Sequence, residues 1–279
     1  MAAGLIGGQG MGTMPEQVSF DRIADCYDAT RVVPPNQQGK IARGIMAAVG
    51  AGPGTRFVEP GVGTGRIALP LLRQGVDYVG TDIAPQMLDR LRTKLAEEPG
   101  ISGRIELMVA DAAKLPLPDA SFDVALTAHL LHLLPDWRRA LDELRRVVKP
   151  GGCYVQATND VGGAIVAFKA ELRRLATRRG VDLAPRRIIG PGDIRVYFRL
   201  APAAEAEPVL ARWTTRRPVG DVLRSYRERE FSWLWSLGDA DHAALVAELE
   251  AWAMATYRSA ETILDEETSF RIAVIRFEP

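Results

Sequence analysis

The chain has 279 residues, the length of one large domain or of one domain with a sizeable insertion at roughly 150 residues per domain. Its 35 Lys+Arg balance 35 Asp+Glu, and 47% hydrophobic with 25% charged residues is ordinary globular composition, so general nucleic-acid affinity is not expected. Two cysteines and three histidines exclude a disulfide framework, a cysteine zinc site and a multi-histidine metal centre, and no apolar run approaches the ~20 residues of a membrane span.

Residues 1–13 are small and glycine-rich, and 1–19 are expected to form a disordered tail. With neither the basic region nor the apolar core of a signal peptide there, a cytoplasmic protein is expected. Asp21 to Val49 reads as helical, interrupted at Val33-Pro34-Pro35-Asn36, with Ile41, Ile45 and Val49 on one face. Gly50 to Gly54 ends this helical region.

From Thr55 to Thr158 short apolar runs alternate with amphipathic helices. Strands are expected at Arg56–Glu59, Tyr78–Asp82, Ile105–Ala110, Phe122–Thr127 and Cys153–Thr158. Helices are expected at Arg66–Arg73 and Pro85–Leu95. A third carries Trp137, Leu141, Leu144 and Val148 on one face and stops at Lys149-Pro150-Gly151-Gly152. Such alternation implies a doubly wound, mostly parallel α/β sheet. Val209–Thr215 and Phe270–Phe277 bring the count to seven strands. Residues 216–267 then form a helical cap inserted near the C terminus, with the α/β domain over 54–215 and 268–279. Helical stripes fall at Ile165, Phe168, Leu172 and Leu175, at Val219, Val222, Leu223 and Tyr226, and at Leu245, Leu249 and Trp252.

Charge is unevenly spread. Lys169 to Arg229 holds 15 basic and 7 acidic residues, whereas Glu230 to Pro279 holds 3 basic and 10 acidic. One reading is two sets of solvated helices that attract each other. The other is a basic pocket wall for an anionic substrate.

The chemistry-bearing signals lie at strand ends. Val58-Glu59-Pro60-Gly61-Val62-Gly63-Thr64-Gly65 is a strand closing in an acid and opening on spaced glycines, where a ligand can touch backbone. Asp82 ends the second strand, where a carboxylate can accept from both hydroxyls of a ribose; the alternative is a cap for the Pro85 helix. A dinucleotide site wants G-x-G-x-x-G, but the last of those positions is Arg66. The G-x-G-x-G found here, with Glu59 two residues before it, suits an amino-acid ammonium better than a pyrophosphate.

With these motifs the chain resembles the class I S-adenosylmethionine-dependent methyltransferases, in the branch typified by ubiquinone and menaquinone biosynthesis. Glu59 to Gly65, Asp82, Asp111-Ala112, Phe122-Asp123 and the run from Leu144 to Gly152 carry the resemblance, which covers residues 20–158 well and 160–267 hardly at all. It implies S-adenosylmethionine as cofactor, no metal, and a small-molecule acceptor methylated on oxygen or nitrogen. Gly61, Gly63 and Gly65 would pass the methionine and ribose portions, Glu59 would position the ammonium, and Asp82 would hold the ribose. Ile83 and Met87 would flank the adenine, Asp111 would accept from its amino group, and Ala112 would offer an amide. Pro60 departs from the pattern by lacking a free amide.

Residues 20–53 would fold over the cofactor, Tyr27 covering its methionine end and Arg31 meeting its carboxylate; a plain helix surface is the alternative. His129, after the fourth strand, lies by the transferable methyl as a candidate general base, or else shapes the pocket. His132, Trp233 and Trp235 are candidates for the acceptor wall, against simple packing, and His242 receives no role. A nicotinamide-dependent oxidoreductase and a non-catalytic adenosylmethionine-binding module stay open as rivals. The mark of the latter would be a cap too closed or too polar to admit an acceptor. A homodimer is also left open.

Overall fold

The computed structural model describes residues 20–21, 27–30, 33–98, 100–183, 188–201 and 207–279. Seven strands form one sheet: β1 (Arg56–Pro60), β2 (Asp77–Asp82), β3 (Ile105–Val109), β4 (Phe122–Ala128), β5 (Val148–Val161), β6 (Val209–Pro218) and β7 (Ile263–Arg276). Their order is β3-β2-β1-β4-β5-β7-β6, parallel from β3 to β5, with β7 antiparallel to both its neighbours. This is the mostly parallel, doubly wound sheet expected.

Successive side chains divide between the two faces, as strand geometry requires. Phe57, Val124, Leu126, Val155 and Ala157 join one core with α2 (Pro35–Val49), α3 (Ala68–Leu72) and α4 (Pro85–Ala96). Val58, Ala125, Tyr154 and Ile275 join the other, with α5 (Trp137–Val147) and α7 (Pro191–Tyr197). Near-continuous burial along β1 and β4 follows from cover on both sides. Before β1 the described part of the N-terminal region also includes α1 (Tyr27–Thr30).

Three boundaries differ from the periodicity, the first being β5, which begins at Val148 and takes in the Lys149–Gly152 stretch read as a helix stop, with α5 ending at Val147. α3 begins at Ala68 rather than Arg66, because Pro70 can sit only in a first helical turn and the preceding residues close the glycine bend. β7 begins at Ile263 rather than Phe270, since it pairs with β6 all the way to Pro218 and with β5 to Val161. The helices between the last two strands therefore occupy a shorter stretch than 216–267. They are α8 (Val219–Arg227), a 3-10 turn at Ser232–Leu234 and α9 (Asp239–Tyr257).

α6 (Ala164–Arg179) packs with α8 and α9 in a third core, so the layer over the sheet edge draws on chain from before β6 as well. Phe168, fully buried, is its centre, with the rings of Trp252, Tyr257 and Tyr226 at 5.2, 5.6 and 6.2 Å. His242 belongs to this core too; its Nε2 meets the Tyr226 carbonyl at 2.9 Å, so it is not the surface residue its helix-start position implies. Ion pairs join the two oppositely charged segments: Arg178 and Arg179 both meet Glu248, Arg227 meets Glu250 at 2.7 Å and Arg229 meets Asp239 at 2.8 Å. Such exposed pairs contribute little each, so the aromatic core carries the layer.

Phe168→Ala should therefore destabilise the protein by about 3–5 kcal/mol, read from urea denaturation, because the neighbouring rings cannot close the void. Wild-type stability in that variant would show that the layer is held otherwise.

Candidate active site

The sheet reverses its winding between β1 and β4, and in open α/β sheets the crevice at such a point, beyond the carboxyl ends of the strands, is where ligands fit. Here it opens into a cavity of about 1020 Å³, at the top of the roughly 300–1,000 Å³ usual for small-molecule sites.

The bend after β1 forms one end. Gly61 and Gly63 line it with φ of +70° and +55°, a backbone region L residues rarely adopt. A Cβ on Gly61 would stand 2.8 Å from Leu130 Cδ1, and one on Gly65, just behind, 2.3 Å from Leu91 Cδ1. Asp82, at the tip of β2, holds the bend in place: its Oδ2 accepts from Gly63 N and its Oδ1 from Ala84 N, each at 2.9 Å. The side chain thus caps its own turn and the glycine bend together. Burial raises its pKa, and the backbone donors Ala84, Gly63 and Ile83 hold that rise down.

Glu59 lies behind the bend rather than on the cavity wall. It is buried, and Tyr78 Oη donates to its Oε2 at 2.7 Å. Burial pushes its pKa up to about 8, against the opposing pull of Tyr78 and of Arg66. Tyr78 is a partner that no local motif marks.

Ile83, Met87 and Ala112 line the same end of the cavity, and Tyr27 covers it. Tyr27 packs with Phe20 on Met87 and Ala84. Asp28, beside Tyr27, accepts from Thr64 Oγ1 at 2.6 Å and pairs with Lys94 at 2.6 Å, while Lys94 also donates to the Thr64 carbonyl. α1 is therefore tied to the glycine bend, and nothing in the spacing of these residues foretells it. Asp111 is exposed and does not line the cavity; its Oδ1 accepts from Ala113 N at 2.8 Å. Arg31 lies outside the described residues.

His129 follows β4 at φ +57°, and of the five described non-glycine residues with positive φ it alone lines the cavity. His132, in the 3-10 turn Leu131–Leu133, lines it as well.

Beyond His129 the cavity continues beneath the helical layer. Its floor there is one face of the extended sheet edge, where Val161 pairs with Thr268, Thr268 with Trp213, and Glu266 with Thr215. Trp233 joins the wall, stacked on Phe231 at 5.9 Å. Trp235 does not: it packs on Phe20 at 5.1 Å and donates to the Arg229 carbonyl. Lys169, Arg173, Arg217 and Arg224 also line this part, so the basic segment does supply a pocket wall as well as the ion pairs above. Among the described residues no cluster of three or more His, Cys, Asp or Glu could hold a metal ion, and no helix is long and apolar enough to cross a membrane.

Comparison with known proteins is consistent in kind. The family model described as methyltransferase domain matches residues 58–155. The chain is similar to an uncharacterized protein of Mycobacterium tuberculosis, 32% identical over 146 residues, spanning about half (52%) of each chain. It is similar to the demethylmenaquinone methyltransferase of Clavibacter sepedonicus, 36% identical over 217 residues, covering 76% of this chain and 82% of that one. The crystal structure of the YcgJ protein of Bacillus subtilis shares the fold, with a TM-score of 0.54 at 17% identity over 86% of this chain and 98% of that chain.

Glu59 gives the unliganded protein a distinctive pH response. Its pKa is about 8 when folded against 4.5 when exposed, so folding takes up a proton between those values and stability falls as pH rises through them. From pH 6 to pH 8 the loss should be on the order of 2 kcal/mol, seen as a falling urea midpoint. Glu59→Gln, which cannot ionise, should flatten that fall; an equally steep fall in the variant would remove Glu59 as its source.

Proposed function

The chain belongs to the class I S-adenosylmethionine-dependent methyltransferases, and from that membership we propose that it transfers a methyl group to an oxygen or nitrogen of a small organic acceptor. The observation that carries this is the continuity of the cavity: one space runs from the glycine bend past His129 to the floor under the helical layer. It has room for a cofactor and an acceptor side by side, which a non-catalytic binding module would not need. Family membership sets aside the nicotinamide reading.

The residues present fit the cofactor. Gly61 and Gly63 expose backbone where a side chain would fill the crevice. Asp82 lines the cavity, and the lone pairs not taken up by Gly63, Ala84 and Ile83 can accept from ribose hydroxyls. Ile83 and Met87 offer apolar faces to a base. Glu59 stands behind the bend as a charge reserve for an ammonium, which would favour its ionised form. Asp111 is assigned to the rim, beside Ala112.

When bound, S-adenosylmethionine supplies a methyl on a positively charged sulfur that departs as a neutral thioether. The chain's own part is then to place, desolvate and deprotonate. Tyr27 and α1 cover the cofactor end, tied down through Asp28, and the helical layer covers the acceptor end, so both limit the access of water. His129, at the tip of β4 between the two ends, takes the proton that the accepting oxygen or nitrogen gives up. His132 shapes the wall beside it. A buried free thiol at Cys153 suits the reducing cytoplasm in which we place the protein.

Calorimetry with S-adenosylhomocysteine tests the cofactor reading. Binding is expected for the wild type and about tenfold weaker binding for Asp82→Ala; no binding to the wild type at millimolar ligand would end it. For the base, His129→Asn keeps a residue that tolerates positive φ. It should lower kcat by about 10²-fold and remove the acidic limb of the pH–rate profile, with cofactor affinity unchanged. Full turnover in that variant would reassign His129 to pocket shape.

A further inference from the structure

α6 carries five basic residues, and the structure divides them by face. Arg174 pairs with Glu171, and Arg178 and Arg179 with Glu248, all away from the cavity. Lys169 and Arg173 line the cavity instead, four residues apart and so neighbours on one helix face. Among the described residues neither has a carboxylate within ion-pairing distance nor a side-chain hydrogen bond.

Two like charges at this spacing repel. Burial, and then the Arg173 guanidinium beside it, hold the Lys169 ammonium below its usual range. The other cations of the same wall are engaged: Arg217 faces Glu266 at 3.6 Å and donates to Ser225 Oγ at 2.7 Å, and Arg224 faces Asp221 at 3.2 Å. Those pairs also engage Glu266 and Asp221, two of the wall's acids. The surrounding wall carries Ile165 one turn back on α6, Trp213 on the floor and Trp233 above, interspersed with the polar Thr215, Thr268, Glu228 and Glu230. Both cations are solvent-exposed along this wall, and an anion on an apolar body matches the pair and its apolar neighbours together.

Resting on the methyl-transfer reading above, we propose that the acceptor is a small organic anion whose carboxylate or phosphate is held by Lys169 and Arg173. Its body lies against Ile165, Trp213 and Trp233, which leaves the methylated atom toward His129. Lys169 and Arg173 are positioning residues that select the acceptor by charge.

The test uses the whole chain saturated with S-adenosylhomocysteine and four phenyl probes of similar size: benzoate, phenyl phosphate, benzyl alcohol and benzylammonium. Binding is read by calorimetry and by shift of Tm. At least one of the two anions should bind about tenfold more tightly than the alcohol and the ammonium, and which one separates a carboxylate acceptor from a phosphorylated one. The double variant Lys169→Gln, Arg173→Gln should lose this preference while keeping wild-type Tm without probe and wild-type affinity for S-adenosylhomocysteine.

Equal or tighter binding of the alcohol or the ammonium would overturn the proposal. So would anion affinity unchanged in the double variant, or no probe bound at millimolar concentration. If S-adenosylhomocysteine itself fails to bind, the methyltransferase reading has failed; if it binds and the anion preference is missing, only the acceptor assignment falls.

Discussion

The Asp82 carboxylate, shared between Gly63 N and Ala84 N, fastens the glycine bend to the tip of β2, just beyond the point where Pro60 pairs with Thr81. The bend after β1 needs positive φ at Gly61, Gly63 and Gly65, and glycine gains nothing from a side chain in return for the backbone freedom it gives up on folding. A carboxylate that accepts from the middle of the bend offsets part of that cost and fixes where the remaining amides point. From that fixed bend follow the mouth of the crevice, the seat of Met87 opposite Gly63, and the surface on which α1 is held.

The helical layer meets a different constraint. It lies over the part of the cavity beyond His129, and the extended β6–β7 pair forms the floor there. Both strands run past the last parallel strand ends, so the floor they provide lies beyond the crevice. Packing around Phe168 holds the layer together on its far side, and exposed ion pairs steer the two oppositely charged segments into contact there. Lys169 and Arg173, which face the cavity, take no part in those ion pairs, whereas Tyr226, Phe231 and Trp233 join the cavity wall to the aromatic core.

How far this was legible from the chain depends on the range of the interaction. The seven strands, the glycine bend and Asp82 are local patterns, each set within a few residues, and they read directly. The site residues Glu59 and Asp111 read as cavity-lining because they end or follow strands. Whether a strand-end acid faces the crevice or turns behind it, however, depends on a partner elsewhere, such as Tyr78 for Glu59. The tie from Asp28 to Thr64 and Lys94 joins groups 36 and 66 positions apart and leaves no periodic trace. The basic run from Lys169 offered two readings, helix attraction or pocket wall. Its residues are found both in the ion pairs and along the cavity, because one helix looks toward different neighbours at different positions.

His129 shows how the scaffold supports an unfavourable geometry. A non-glycine residue at φ +57° costs of order 1–3 kcal/mol and persists only where its surroundings leave no alternative. Here the residues just before it are locked into the sheet, Thr127 against Gln156 and Ala128 against Ala157, on a strand paired on both sides. Just after it Leu131 is buried in the second core, beginning the turn that leads toward α5. With both flanks held, the chain turns over two residues, His129 in the left-handed region and Leu130 in the right-handed one. The backbone at His129 is consequently placed by the sheet on one side and the second core on the other.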